Sequence, residues 1–299
     1  MAYRNIFISN EARLRLRNKQ LIVDNGEELS FPIEDIRSIV IDNPYTTLSA
    51  KLLSKLSEDG VCVIVCDDKH TPSAAMMPIG VYCRVNKRVT LQFEQSKPKL
   101  KKLWQEIVKA KINNQAKCLE LNFVEKSAEL YSIAKTVASG DTTNREGYAA
   151  RMYFRSMFGN EFTRDDENGI NAALNYGYAI FRSFIAKTLV AYGLEPSIGI
   201  HHKNQLNAFN LADDIIEPFR PIVDNYVYKN YREWGDSFFT AQKAELVLLL
   251  NCAVTVDGKR HSVANAVELA VQSIISSFEN DEARLKLPVL NELSYFDYD

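Results

Sequence analysis

The chain has 299 residues, 46% hydrophobic and 25% charged, with a formal net charge of −2 and a pI near 6.2. That length supports a full core and two domains of ordinary size, whereas the charge balance excludes a globally basic surface, so any nucleic-acid affinity has to come from a local patch or from one assembled by oligomerisation. The N-terminus carries no apolar stretch of signal-peptide length and no apolar run approaches a membrane span, which gives the expectation of a cytoplasmic protein with no membrane partner.

Short apolar runs at 5–9, 13–17, 20–24, 36–41 and 61–66, separated by turn signals such as Asn18-Lys19, Asn25-Gly26 and Asp42-Asn43-Pro44, predict a strand-rich first part. The run R-L-R-L-R alternates strictly and sets Arg13, Arg15 and Arg17 on one face, read as solvated or as a subunit contact, with phosphate contact the rarer alternative. Between the strands, Leu48, Leu52, Leu53 and Leu56 have helical spacing within 46–58. Pro78-Ile79-Gly80 and Ser96-Lys97-Pro98 then bracket an irregular stretch, and 100–138 shows repeated i, i+3, i+4 apolar spacing.

These changes divide the chain into a β-rich domain over 1–85, a linker over 86–98 and a larger, mainly α-helical domain over 99–299, an α+β fold. The lysines of 97–102 read as a solvated helix start, with a DNA clamp as the alternative. Residues 171–192 are apolar on most sides and stop at Gly193, which predicts a buried central helix with Tyr176, Tyr178 and Phe181 in the core rather than stacking on bases. A last helix over 262–278 carries Val263, Ala266, Val267, Ala270 and Ile274 on one side. Cys62, Cys66, Cys83, Cys118 and Cys252 include no C-x-x-C pair, so they read as buried reduced thiols rather than zinc ligands or disulfides.

Two windows carry chemistry. G-I-H-H-K-N from Gly199 and L-A-D-D-I-I-E-P-F-R-P from Leu211 pack imidazoles, carboxylates and arginine together; two or three oxygen ligands with one neutral imidazole suit Mn²⁺ and are tolerable to Mg²⁺. A helix over 211–217 would turn Asp214 and Glu217 toward one ion and Asp213 elsewhere, end near Glu217 before Pro218, and leave Arg220 just past the break. The second window, N-R-E-G-Y-A-A-R-M-Y-F-R from Asn144, reads as a helix start with Asn144 as N-cap, Glu146 in the first turn, and Arg151 and Arg155 one turn apart on one face. Taken singly, these are also what a helix-start carboxylate, a surface histidine and a solvated helix face look like.

The order of the runs adds to the residues themselves. N-R-E-G-x-A-A-R-x-Y-F from Asn144, F-G-N-x-F-x-R-D from Phe158, N-A-x-L-N-Y-G-Y from Asn171, H-x-N-Q-x-N-x-F-N from His202 and D-I-I-E-P-F-R-P-x-V-D from Asp214, preceded by C-D-D-K-x-x-P-x-A-x-x-M-P from Cys66, resemble the catalytic integrase subunit of CRISPR spacer acquisition. Within that family they resemble the branch accompanying single-protein (type II) effectors. The resemblance covers essentially the whole chain.

It implies a catalytic and metal-binding triad of Glu146, His202 and Glu217, with Asp214 as a possible assisting ligand; His201 fills the variable place of the G-x-x-H run. It implies Mg²⁺ or Mn²⁺ as cofactor, and 3′-hydroxyl attack by a short foreign duplex, the prespacer, on a phosphodiester at the leader–repeat junction of a CRISPR array. It also implies a homodimer, two of which flank a dimer of a small companion protein in a heterohexamer, helped by the type II effector nuclease and an accessory subunit. Arginines suit bidentate phosphate contacts, which makes Arg145, Arg151, Arg164 and Arg220 candidates for holding DNA, with interhelical salt bridges an equal alternative for each. Two other functions fit the same residues: a hydrolytic metal-dependent nuclease acting on branched DNA, and a non-catalytic DNA-binding scaffold.

Overall fold

The computed structural model describes residues 3–78, 85–234 and 238–297. Its first part contains strands β1 (Arg4–Ile8), β2 (Arg13–Arg17), β3 (Gln20–Asp24), β4 (Glu28–Pro32), β5 (Ile36–Ile41) and β6 (Thr47–Leu48), helix α1 (Ala50–Glu58), and strands β7 (Cys62–Cys66) and β8 (Pro72–Ala75). One sheet has the order β4-β3-β2-β6 and the other β1-β5-β7-β8. Asn18 and Lys19 both take positive φ, 50° and 62°, the conformation of a two-residue hairpin turn, and fold β2 back on β3 with Arg17 opposite Gln20. On the basic face of β2, Arg15 and Arg17 both pair with Glu28, the latter at 2.8 Å.

Strand β5 is parallel to both neighbours, β1 and β7, and is buried along its whole length, as a strand covered on both faces must be. Ile39 and Ile41 join a small core with Leu14, Leu21, Leu52 and Leu56. Val40, which points the other way, joins Cys62, Ile64 and Cys66 in the large core of the helical part. Side-chain alternation along two strands therefore ties the β-rich and helical parts together.

The helical part comprises α2 (Val85–Phe93), α3 (Lys97–Leu121), α4 (Ser127–Lys135), α5 (Arg145–Phe158), α6 (Gly169–Ala191), α7 (Asn210–Ile216), a 3₁₀ turn (Glu217–Phe219), α8 (Arg220–Trp234), α9 (Thr240–Leu248), the hairpin β9 (Ala253–Val256) and β10 (Lys259–Ser262), and α10 (Val263–Glu279). Helix α6 is the expected buried helix, with Tyr176, Tyr178 and Phe181 in the core. A Cβ on Gly177 would lie 2.5 Å from Val223 Cγ1, so the close approach of α6 to α8 requires glycine there. Within the stretch read as a linker lies α2, and Ser96 caps α3 by accepting from Lys99 N, with Pro98 in the first turn. Cys62, Cys66, Cys118 and Cys252 are free and buried; Cys83 lies outside the described residues. No helix among the described residues is long and apolar enough to cross a membrane.

The α-helix ends at Ile216, next to Glu217 as expected, but no break follows: α7 passes through the 3₁₀ turn directly into α8, and Arg220 is the first residue of α8 rather than a residue beyond a break. Proline tolerates the first turn of a helix, where its missing N–H has no partner to lose, and here it opens the 3₁₀ turn.

Candidate active site

Asp214 is completely buried and gathers the loop 200–202 around itself. Oδ2 accepts from Ile200 N at 2.6 Å and His201 N at 3.0 Å, and Oδ1 accepts from His202 N at 3.2 Å and meets His202 Nδ1 at 2.7 Å. The loop can wrap so tightly only because residue 199 is glycine, whose absent Cβ would lie 2.3 Å from His202 O and 2.9 Å from Asp214 Oδ2. A carboxylate partner places the proton on Nδ1 and leaves Nε2 of His202 as the free ring nitrogen. The hydrogen bond to Asp214 raises the His202 pKa against the opposing effect of burial. The neighbouring His201 ring lies flat on Trp104 of α3, with centroids 4.2 Å apart, and burial lowers its pKa.

The second half of the site comes from three helices. The N-terminus of α5 is capped twice: Asn144 Oδ1 accepts from Gly147 N at 3.1 Å, and the Asp141 carboxylate accepts from Arg145 N at 2.8 Å and Glu146 N at 2.9 Å. These bonds satisfy donors that a helix start leaves open and fix the backbone from which Glu146 projects. The ammonium of Lys111, on α3, is held between Glu146 Oε1 and Glu217 Oε2. The other oxygen of Glu217 accepts from Arg220 Nε at 2.9 Å, and the Arg220 guanidinium lies 4.4 Å from the centre of the Tyr178 ring, a cation–π contact. Burial alone would push the Glu217 carboxyl up; the Arg220 and Lys111 charges outweigh it and hold it at about 2.

One turn beyond Lys111, Asn114 Nδ2 donates to Pro218 O at 2.7 Å and Pro288 O at 2.9 Å, while its Oδ1 accepts from Leu290 N at 3.0 Å. The turn bearing Glu217 is thus pinned to α3 and to the C-terminal segment. Behind the site, Tyr178 OH donates to the buried Asp224. Burial raises that carboxyl to about 6 against the lowering effects of Tyr178, Arg164 and Arg220.

Glu146, from α5, and Glu217, from the 3₁₀ turn, meet on Lys111, while His202, in the loop before α7, feels the Glu217 charge without joining them in contact. Asp214 and Glu217 do not face a common ion as their three-residue spacing suggested: Asp214 is consumed by the loop, and Glu217 faces Lys111 and Arg220. Asp213 does point elsewhere, accepting from Asn207 Nδ2 at 2.7 Å. Among the described residues no three His, Cys, Asp or Glu side chains are arranged to hold a metal ion; the cation between the two glutamates is Lys111. Two carboxylates that share one ammonium are nevertheless placed to share one cation, and hard oxygens with a free imidazole nitrogen are the donors Mg²⁺ and Mn²⁺ take. An open cleft of about 430 Å³ runs past His202, lined by Gln92, Phe93, Lys203, Asn204 and Asn207 among others.

The four arginines differ in setting. Arg151 is exposed and Arg145 half-buried, both on α5, where Arg145 adjoins Glu146 in sequence. Arg164 binds Asn171 and Asn175 and lies over the rings of Phe154 and Tyr178, while Arg220 is engaged by Glu217. Lys111, Trp104, Asp141 and Asn114 escaped the sequence reading. Lys111 alone left a trace: it falls seven residues after Trp104 on the buried stripe that continues through Ile107 and Val108, a lone cation where an apolar residue belongs.

A family model described as CRISPR associated protein Cas1 matches residues 6–264. The CRISPR-associated endonuclease Cas1 of Neisseria meningitidis serogroup C (strain 8013) is 38% identical over 304 residues, covering 100% of both chains. A casposase bound to an integration product has the same fold, with a TM-score of 0.76 at 19% identity over 96% of this chain and 93% of that one. A chain of a Cas6-RT-Cas1–Cas2 complex matches with a TM-score of 0.70 at 17% identity, over 97% of this chain and 36% of the other.

Proposed function

The chain belongs to the CRISPR-associated Cas1 family, and from that membership we propose that it is a metal-dependent DNA integrase and endonuclease. It joins the 3′-hydroxyl of a short prespacer duplex to a phosphodiester at the leader–repeat junction of a CRISPR array. The observation that carries this reading is that Glu146 and Glu217, from separate elements, meet on one cation, with His202 within electrostatic reach of Glu217. When bound by Glu146, His202 and Glu217, Mg²⁺ or Mn²⁺ supplies Lewis-acid stabilisation of the phosphorus oxygens and lowers the pKa of the attacking hydroxyl.

The protein's own contribution is arrangement. Asp214 fixes the His202 ring with Nε2 free, Glu217 stays ionised at neutral pH, and Arg220, braced on Tyr178, offsets its charge. Arg145 and Arg151 lie where a phosphate backbone approaching Glu146 would pass, and positioning of this kind is what arginine–phosphate contacts supply. Arg164 and Arg220 are tied more closely to the protein, so their role toward DNA is to hold the surface under it. We assign the chain to the type II branch, acting as a homodimer with a Cas2-like companion in a heterohexamer, with the effector nuclease and accessory subunit as further partners. The fold shared with the chain of a Cas6-RT-Cas1–Cas2 complex supports the companion.

The test is strand transfer of a labelled duplex into a plasmid carrying leader and repeat, with Mg²⁺ or Mn²⁺, the companion protein, and Glu146→Gln and Glu217→Ala variants checked for folding. Metal-dependent joined product, lost in both variants with DNA binding retained, is the expected result. Cleavage without joining would make the protein a hydrolytic nuclease, and undiminished joining in the variants would leave the carboxylates structural.

A further inference from the structure

We propose that Lys111 is a positioning residue: its ammonium converges Glu146 and Glu217 on one cation place, and the divalent ion enters that place by displacing it. The inference rests on the metal-binding reading above and goes beyond it by making loading an exchange of cations rather than the filling of a vacant cage.

Three observations carry it. First, Lys111 Nζ touches one oxygen of each carboxylate, so it lies on the path between them, where an ion sharing both glutamates would also lie. A single place cannot hold an ammonium and a divalent ion, because like charges at contact repel strongly in a partly dry site. Second, only one of the two cations beside Glu217 is free to leave. Arg220 is bonded to Glu217 Oε1 at 2.9 Å and rests on the Tyr178 ring; a planar guanidinium stacked on a ring is held in orientation, whereas lysine is a point charge on a flexible four-carbon stem. Third, the opposite ends of the glutamates are fixed by the backbone. Asp141 and Asn144 cap the helix behind Glu146, and Asn114 holds the carbonyl next to Glu217. The backbone that carries both glutamates therefore keeps its place when the ammonium swings out, Glu217 keeps Arg220 as a partner, and the site needs no rearrangement of its helices to load.

While Lys111 sits between the glutamates it competes with the ion, so apparent metal affinity is reduced by the fraction of molecules in which the ammonium is out. The experiment compares the unaltered protein with Lys111→Met by Mn²⁺ titration followed by electron paramagnetic resonance, without DNA. Exchange requires the variant to bind Mn²⁺ more tightly, by about tenfold or more if the ammonium is out in a tenth of the molecules or fewer. Unchanged or weaker binding by a folded Lys111→Met overturns the proposal, since a merely structural lysine would not tighten metal binding when lost.

A second measurement uses the unaltered protein and does not depend on the variant folding. Lysine acylation is mapped by mass spectrometry with and without saturating Mn²⁺, with Lys243, which is buried and pairs with Asp42 at 3.8 Å, as the internal standard. Exchange requires Lys111 labelling to rise severalfold on Mn²⁺ binding while Lys243 stays constant. Bound Mn²⁺ with Lys111 still protected sinks the exchange and leaves the metal site standing, whereas absence of any Mn²⁺ binding in both proteins sinks the metal reading and the exchange with it.

Discussion

Asp214 Oδ1 lies 2.7 Å from His202 Nδ1, and the same carboxylate accepts three successive backbone N–H groups. The acid that looked like a ligand is the anchor of the His202 loop. Asp214→Ala leaves three main-chain donors and the imidazole without their buried acceptor, so we expect a loss of about 3 kcal/mol or more in stability together with loss of metal binding. Asp214→Asn keeps one oxygen and falls between. Urea unfolding of the three proteins checks the order.

Gly199→Ala puts a methyl group 2.3 Å from His202 O. The backbone cannot yield there without pulling His202 away from Asp214. We expect a folded protein that has lost about 1–3 kcal/mol and binds Mn²⁺ weakly, measurable as a smaller metal-induced rise in Tm.

Asp224 gives a pH dependence of known sign. Its carboxyl is held at about 6 in the fold against an ordinary 3.8, so the folded state binds the proton more tightly than the unfolded chain. The associated stability is complete below 3.8, is lost as pH rises through about 6, and amounts to about 3 kcal/mol. Asp224→Asn, which still accepts from Tyr178, is expected to be more stable than the unaltered protein at pH 8 and to show no such advantage at pH 3.5. Equal differences at both pH values, read by urea unfolding, would refute the assignment.

Asn114→Leu removes a buried side chain that makes three hydrogen bonds, to Pro218, Pro288 and Leu290. The C-terminal segment loses its tie to α3, and the turn bearing Glu217 loosens. The expected outcome is a stability loss of about 2–4 kcal/mol and early proteolytic cleavage after residue 280, before any cut in α3. Timed proteolysis with mass analysis shows which bond goes first.

Much of the fold could be read from the chain, and the exceptions have physical causes. Strands β2, β3 and β5 fall where alternation and turn residues put them. Strand β4 escaped although Leu29 and Phe31 alternate with Glu28 and Ser30, because the run is short, mostly exposed and ends on Pro32. The hairpin β9–β10 escaped although Asp257-Gly258 forms its turn with φ of 49° and 76°, because its strands have four residues each and sit between helical patterns. At the site, the order of the runs singled out Glu146 and Glu217, which the fold brings to one cation, and His202, which it seats on Asp214. Lys111 left only the trace of a cation on a buried stripe, and nothing in the sequence shows that carboxylates from α5 and the 3₁₀ turn fold around it. Spacing told correctly that Asp214 and Glu217 share a side of the chain; it could not tell that their partners arrive from different elements.

The unbroken passage from α7 through Pro218 into α8 has a consequence for how the site can vary. Asp214, Glu217, Arg220 and Asp224 stand on one continuous rod at intervals of three, three and four residues, so the loop anchor, the carboxylate, its guanidinium partner and the acid behind Tyr178 share a single helical phase. One inserted residue between Ile215 and Ile216 would rotate everything after it by about 100° relative to Asp214. Point substitutions in this stretch can be tuned one at a time, but its length cannot: the rod is a key whose teeth are cut from one bar.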